Sequence, residues 1–145
     1  MDRNTLTFHF DVDGENFTSA GEASVQVKAK LRQLGFEAEI IRRVSIAMYE
    51  GEINMVVHAR GGKAEVSVDH DCITIKLSDE GPGIPDISLA MQEGYSTAPD
   101  NIRALGFGAG MGLPNMKRYT DYMDIESEVG KGTVVTMRVN VPKNG

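Results

Sequence analysis

The chain has 145 residues, one cysteine and a formal net charge of −6. That length fits a single domain, residues 1–145, with a core that needs no staples. The lone Cys72 excludes an internal disulfide, and the acidic balance argues against a sequence-independent grip on nucleic acid.

The polar start Met1-Asp2-Arg3-Asn4 lacks a signal-peptide pattern. No apolar run approaches a membrane span, so a soluble, cytoplasmic protein is expected. Residues 5–12 alternate and predict a strand. A helix is expected from about Ser19, because Ser19-Ala-Gly-Glu22 has capping-box spacing. Val25, Val27, Leu31 and Leu34 supply its apolar positions, and Gly35 closes it. A longer helix is expected from about Ala38 to His58 or Ala59, with Ile40, Val44, Met48, Gly51 and Met55 on one stripe and Gly61-Gly62 as the stop. Two strands follow, Ala64 to Asp69 and Cys72 to Ser78.

Pro82, Pro85 and nearby glycines break the pattern, and a short helix is expected near Ile87 to Glu93. Gly94 to Gly108 has no periodicity, and a loop that long is usually functional or mobile. A helix starts near Gly112, with Pro114 in its first turn, where a missing N–H costs little. Alternating segments Met123 to Val129 and Thr133 to Val141 flank the turn Gly130-Lys-Gly132. This order predicts an α+β fold, helices on one face of a largely antiparallel sheet.

Four segments carry chemistry. Glu50 and Asn54 lie one turn apart on one helix face, at the edge of the apolar stripe. The carboxamide oxygen of Asn54 suits a hard cation such as Mg²⁺, and Glu50 could act as a general base or hold a water in that metal's shell. Flanking a core helix would also explain the pair. Glu52 points elsewhere and reads as a surface residue. Asp79 shares the parity of Ile73, Ile75 and Leu77, which puts a carboxylate at the end of a buried row. Such a group needs a donor, and the exocyclic amine of adenine is a suitable one. Gly81 and Gly83 would let the chain approach a flat base; an ordinary Gly/Pro turn with Asp79 as a turn residue is the alternative, and the buried parity weighs against it. Gly106-Phe-Gly-Ala-Gly-Met-Gly112 opens a helix and can aim backbone N–H groups at a polyphosphate. It lacks the Gly-Lys-Ser/Thr ending of a P-loop and does not fit the dinucleotide fingerprint, and a flexible hinge would also explain it. Gly130-Lys-Gly-Thr133 is explained by a hairpin turn alone.

Taken in order, the four resemble the boxes of the GHKL (histidine-kinase-like) ATPases. Glu50-x-x-x-Asn54 matches the N box, Asp79-x-Gly-x-Gly83 the G1 box, Gly108-x-Gly-x-Gly112 the G2 box and Gly130-x-Gly-Thr133 the last Gly box. The likeness runs from about residue 38 to the end. Within that superfamily the size is similar to that of the bacterial anti-sigma-factor and switch-protein serine kinases. Gly81-Pro-Gly-Ile-Pro-Asp86, Met91-Gln-Glu-Gly-Tyr-Ser-Thr97 and Gly108-Ala-Gly-Met-Gly-Leu-Pro-Asn-Met-Lys117 resemble the wording of stressosome switch kinases.

The resemblance implies a Bergerat-type two-layer sandwich that binds ATP or ADP with Mg²⁺. Asn54 would hold the metal and Glu50 would activate a serine hydroxyl. Asp79 would hold adenine, with Thr133 close to the base. Further nucleotide contacts are implied at Gly81, Gly83, Ile84, Ser96, Thr97, Gly108, Ala109, Gly110, Met111, Gly112 and Leu113, with residues 94–112 as a lid over the phosphates. Departures are Tyr49, where the family often has a small residue, and the extra stretch Ala98 to Leu105, which includes Arg103. His58 reads as structural. The implied activity is serine/threonine protein kinase, acting on a STAS-domain antagonist in a partner-switching pathway. The alternative is a nucleotide-gated binding module that holds a sigma factor or activates a phosphatase. Either form allows a homodimer. A third reading, the ATP-binding part of a sensor histidine kinase, needs a phosphoacceptor hairpin for which the residues before the first strand are too few.

Overall fold

Alternating burial defines the sheet. The computed structural model describes residues 5–13, 21–59, 61–81, 91 and 112–142. Its strands are β1 (Leu6–Asp13), β2 (Gly61–Val68), β3 (Cys72–Asp79), β4 (Tyr122–Glu128) and β5 (Gly132–Asn140). They pair antiparallel in the order β1-β2-β3-β5-β4. Ala64, Val66 and Val68, then Ile73, Ile75 and Leu77, then Val135, Met137 and Val139 are all buried. Side chains alternate faces along a strand, so these nine form one inward surface.

The helices α1 (Glu22–Gln33), α2 (Ala38–Ala59) and α3 (Gly112–Arg118) pack on that surface. The stripe expected on α2 is buried: Ile40, Val44, Met48 and Met55, with Gly51 among them. At Gly51 α2 has no side chain between its backbone and the sheet. The side chain of Leu77 stands where a Cβ on residue 51 would be. No helix among the described residues is long and apolar enough to cross a membrane.

Two expectations about α1 are corrected. Val25 is 67% exposed and Leu34 45% exposed, whereas Val27 and Leu31 are fully buried. The inward row is therefore Ala23, Val27 and Leu31, at four-residue spacing. The helix also begins later than the capping box would place it. Gly21 is the N-cap, at φ 98°, and no side chain of its own segment caps it. Ser19 lies outside the described residues. The other end follows expectation. The N–H of Gly35 donates to the carbonyl of Arg32, and that of Phe36 to the carbonyl of Leu31. This is the Schellman arrangement, with Gly35 at φ 84°.

Gly61 and Gly62 do more than stop α2, because they already pair with β1 as the start of β2. The short helix expected near residues 87–93 lies outside the described residues apart from Met91, which is half-buried against the core.

Candidate functional site

Glu50 and Asn54 are both half-buried on α2. Burial pushes the Glu50 carboxyl above its ordinary pKa, and a hydrogen bond from the Asn115 side chain partly opposes this. Asn115 comes from α3, which is held on α2 by buried Leu113 and Met116. The methyl of Met116 lies 3.4 Å from where a Cβ on Gly51 would stand. Farther along, Arg43 Nε donates to the Tyr119 carbonyl at 3.1 Å, and its guanidinium pairs with Asp121 at 3.2 Å. Sequence reasoning assigned Asn115 no role. The available signal was its place beside the inward positions Leu113 and Met116, where a polar side chain reaches the edge of the helix contact.

Glu52 is not a surface residue. It is 2% exposed, and its carboxylate caps the N-terminus of α1. Oε1 accepts the Ser24 N–H at 2.6 Å, and Oε2 accepts those of Gly21 at 2.9 Å and Ala23 at 3.3 Å. A helix start leaves its first N–H groups unpartnered and carries partial positive charge. A carboxylate from α2 supplies what the absent side-chain cap would have. Burial raises the Glu52 pKa, and the backbone donors pull it back. The sequence held the clue, since Glu52 lies four residues after Met48 and three before Met55, inside the stripe and not beside it.

Asp79 ends the buried row of β3 as the parity predicts, and it is half-buried. Its Oδ1 accepts the N–H of Gly81 at 2.9 Å and of Thr133 at 3.3 Å. Among the described residues no donor reaches Oδ2. Burial raises the carboxyl pKa, and those two N–H groups act against it. Glycines flank this point on both neighbouring strands. A Cβ on Gly62 would meet the Ser78 carbonyl, and one on Gly132 would meet the Asp79 carbonyl. The spacing Gly130-Lys-Gly132 thus serves the turn and also the approach of β5 to Asp79. The Ser127 and Thr133 hydroxyls lie 2.9 Å apart, and Thr133 is buried. An open depression of about 330 Å³ is lined here by Asp79, Ser127, Lys131, Gly132 and Thr133, among others.

The two halves of the site meet through packing. Leu77, two residues before Asp79 on the same face, fills the space at Gly51, next to Glu50. Met55, next to Asn54, reaches Gly62, which borders Asp79. The structure therefore brings Asp79, Gly81 and Thr133 together through hydrogen bonds, and it packs the stretch of α2 that carries Glu50 and Asn54 on the end of the sheet where Asp79 lies, with Met116 of α3 at Gly51. Leu113 is buried in the core, so any nucleotide contact from it would be through its backbone. Gly112 is the first residue of α3. Gly83, Ile84, Ser96, Thr97, Arg103, Gly108, Ala109, Gly110 and Met111 lie outside the described residues, as does the side chain of His58.

Among the described residues no three His, Cys, Asp or Glu side chains gather as a metal cage. Mg²⁺ usually takes one or two protein oxygens and completes its shell with water and phosphate. The half-buried Asn54 carboxamide, one turn from Glu50, fits such a single ligand.

Comparison with known proteins points the same way. Residues 39–143 match the family described as histidine kinase-, DNA gyrase B-, and HSP90-like ATPase. The anti-sigma F factor of Clostridium beijerinckii is 30% identical, over 95% of this chain and 95% of its own length. That of a Thermoanaerobacter species is 34% identical, over 84% of this chain and 88% of its own. Among solved structures, the RsbU and RsbW domains of Rv1364c from Mycobacterium tuberculosis align with a TM-score of 0.66 at 15% identity. That alignment covers 97% of this chain and 34% of the other, and it shows the shared fold.

Proposed function

This chain belongs to the histidine kinase-, DNA gyrase B-, and HSP90-like ATPases and, within them, to the family of the anti-sigma F factors, and we propose that it is a cytoplasmic protein serine/threonine kinase acting on a STAS-domain antagonist. The observation that carries this reading is Glu50: a half-buried carboxyl with a raised pKa, one turn from a carboxamide suited to Mg²⁺. A general base works best when its pKa is moved toward the operating pH. In this reading the serine Oγ bonds to the γ-phosphorus while its proton passes to Glu50. The bond to the β–γ bridging oxygen breaks, and ADP leaves. Asn54 would hold Mg²⁺, which would supply the positive charge that offsets that of the phosphates. Asp79 Oδ2 accepts from the adenine amine, beside Thr133. The phosphorylated partner gains roughly two negative charges, enough to disrupt a matched interface.

The test is incubation with Mg-ATP and a STAS-domain protein encoded beside this chain, followed by intact mass and acid treatment. One acid-stable phosphate on the partner supports the serine kinase. An acid-labile phosphate, or none on any STAS domain offered, counts against it. The names of the two anti-sigma relatives favour a second role, capture of a sigma factor, and a pull-down with and without ATP separates binding from transfer.

A further inference from the structure

Asp79, Thr133 and Ser127 stand in one row across three strands: Asp79 of β3 is paired with Thr133 of β5, and Thr133 with Ser127 of β4. Residues directly opposite on paired strands share a face of the sheet, and all three line the open depression beside Asp79. Proton count sets the direction of the hydrogen bonds along this row. Ser127 Oγ lies 3.3 Å from the carbonyl oxygen of Gly132, which can only accept, and 2.9 Å from Thr133 Oγ1. A hydroxyl has one proton to donate and two lone pairs to accept with. Both contacts form together when Thr133 donates to Ser127 and Ser127 donates to Gly132. If Ser127 donated to Thr133 instead, the Gly132 contact would be lost. The buried Thr133 hydroxyl thus uses its proton within the protein, and only its lone pairs remain for a ligand.

We infer that Ser127 is a specificity-determining residue for the base: by accepting the Thr133 proton it makes Thr133 Oγ1 an acceptor, which next to the Asp79 carboxylate selects a purine bearing an amine at ring position 6. The inference rests on the reading of Asp79 as the residue that holds adenine. An amine has two N–H groups and suits a pair of acceptors. A carbonyl at the same position sets acceptor against acceptor, and a site whose buried polar groups are left mismatched rejects its ligand strongly. Without the Ser127 hydroxyl, the Thr133 O–H is released and can turn to donate to such a carbonyl.

The test is calorimetry with ADP and with inosine diphosphate, which has a carbonyl where adenine has its amine. The wild type should prefer ADP by about 100-fold or more. In Ser127→Ala that preference should fall about tenfold, mainly through tighter binding of inosine diphosphate, the worth of one gained hydrogen bond. Ser127→Thr keeps the hydroxyl and should hold the preference within about twofold of wild type. In a Thr133→Val background, Ser127→Ala should leave the preference where Thr133→Val puts it, because the two hydroxyls act as one unit.

A purely structural Ser127 would weaken both nucleotides alike in Ser127→Ala and leave their ratio unchanged. That result overturns the inference, and tight ADP binding by the wild type alongside it leaves the reading of the adenine site standing. A wild type that binds neither nucleotide overturns both.

Discussion

Replacing Glu52 by Gln tests the least expected contact in the fold. The carboxylate accepts three backbone N–H groups on two oxygens, at 2.6, 2.9 and 3.3 Å, and is almost fully buried. A carboxamide has one acceptor. If its oxygen replaces Oε2, the Gly21 and Ala23 bonds survive, and the Ser24 N–H faces an N–H₂ group. If it replaces Oε1, two donors are lost. The first orientation costs less, and it leaves one buried donor unpaired, worth about 1–3 kcal/mol. Removing a buried charge returns part of this, because burial was already working against ionisation of Glu52. The net expectation at pH 7 is a loss of about 1–2 kcal/mol, roughly 3–8 °C in Tm for a chain of this length. Glu52→Ala strands all three donors and should cost about 3–4 kcal/mol, toward the range for breaking a buried charged contact. Urea unfolding gives both values, and amide exchange should accelerate at Ser24 and its neighbours at the start of α1. Unchanged stability in Glu52→Gln, with unchanged exchange at Ser24, would refute the capping argument.

Three further outcomes follow from the geometry. Gly132→Ala adds a Cβ against the Asp79 carbonyl at φ 136°; the hairpin must shift, and ADP affinity measured by calorimetry should fall even where the fold persists. Asp79→Asn can keep its oxygen toward Gly81 and Thr133, which leaves an N–H₂ where Oδ2 stood. Thermal stability should then change little while adenine-nucleotide affinity drops about 100-fold, as expected when a buried polar match becomes a mismatch; unaltered ADP binding would remove Asp79 from the site. Asp121 is held below its ordinary pKa, first by the Asn140 N–H at 2.7 Å and then by Arg43. A depressed carboxyl contributes stability above its unfolded pKa and loses it as pH falls through the folded value. Unfolding free energy should therefore decline below about pH 4, and Asp121→Asn should flatten that decline.

Much of this was legible because the strands keep strict alternation. The parity that buries Ile73, Ile75 and Leu77 also leaves Asp79 half-buried at the end of that row. The α2 stripe is equally plain, and Glu50 and Asn54 at its edge are half-buried as that position implies. What stayed hidden depends on contacts between elements distant in the chain. Glu52 sits within the stripe by angle, yet its partners at residues 21, 23 and 24 appear only when α1 is docked. The outward turn of Val25 follows from the same docking, since a cap at Gly21 fixes the helix phase. Asn115 contacts Glu50 from 65 positions away. Gly62 and Gly132 read as punctuation in one dimension and become neighbours of Asp79 only in the paired sheet.

The central claim is that Glu50 takes the proton of a serine while the other site residues hold the nucleotide. The most direct measurement follows single-turnover phosphoryl transfer and ATP affinity side by side in wild type and Glu50→Gln. The account predicts transfer reduced about 100- to 10,000-fold, the usual contribution of a general base, with the Kd for ATP within about twofold, since a neutral isostere leaves binding contacts in place. Transfer at the wild-type rate, or a loss explained by weaker ATP binding, would contradict it.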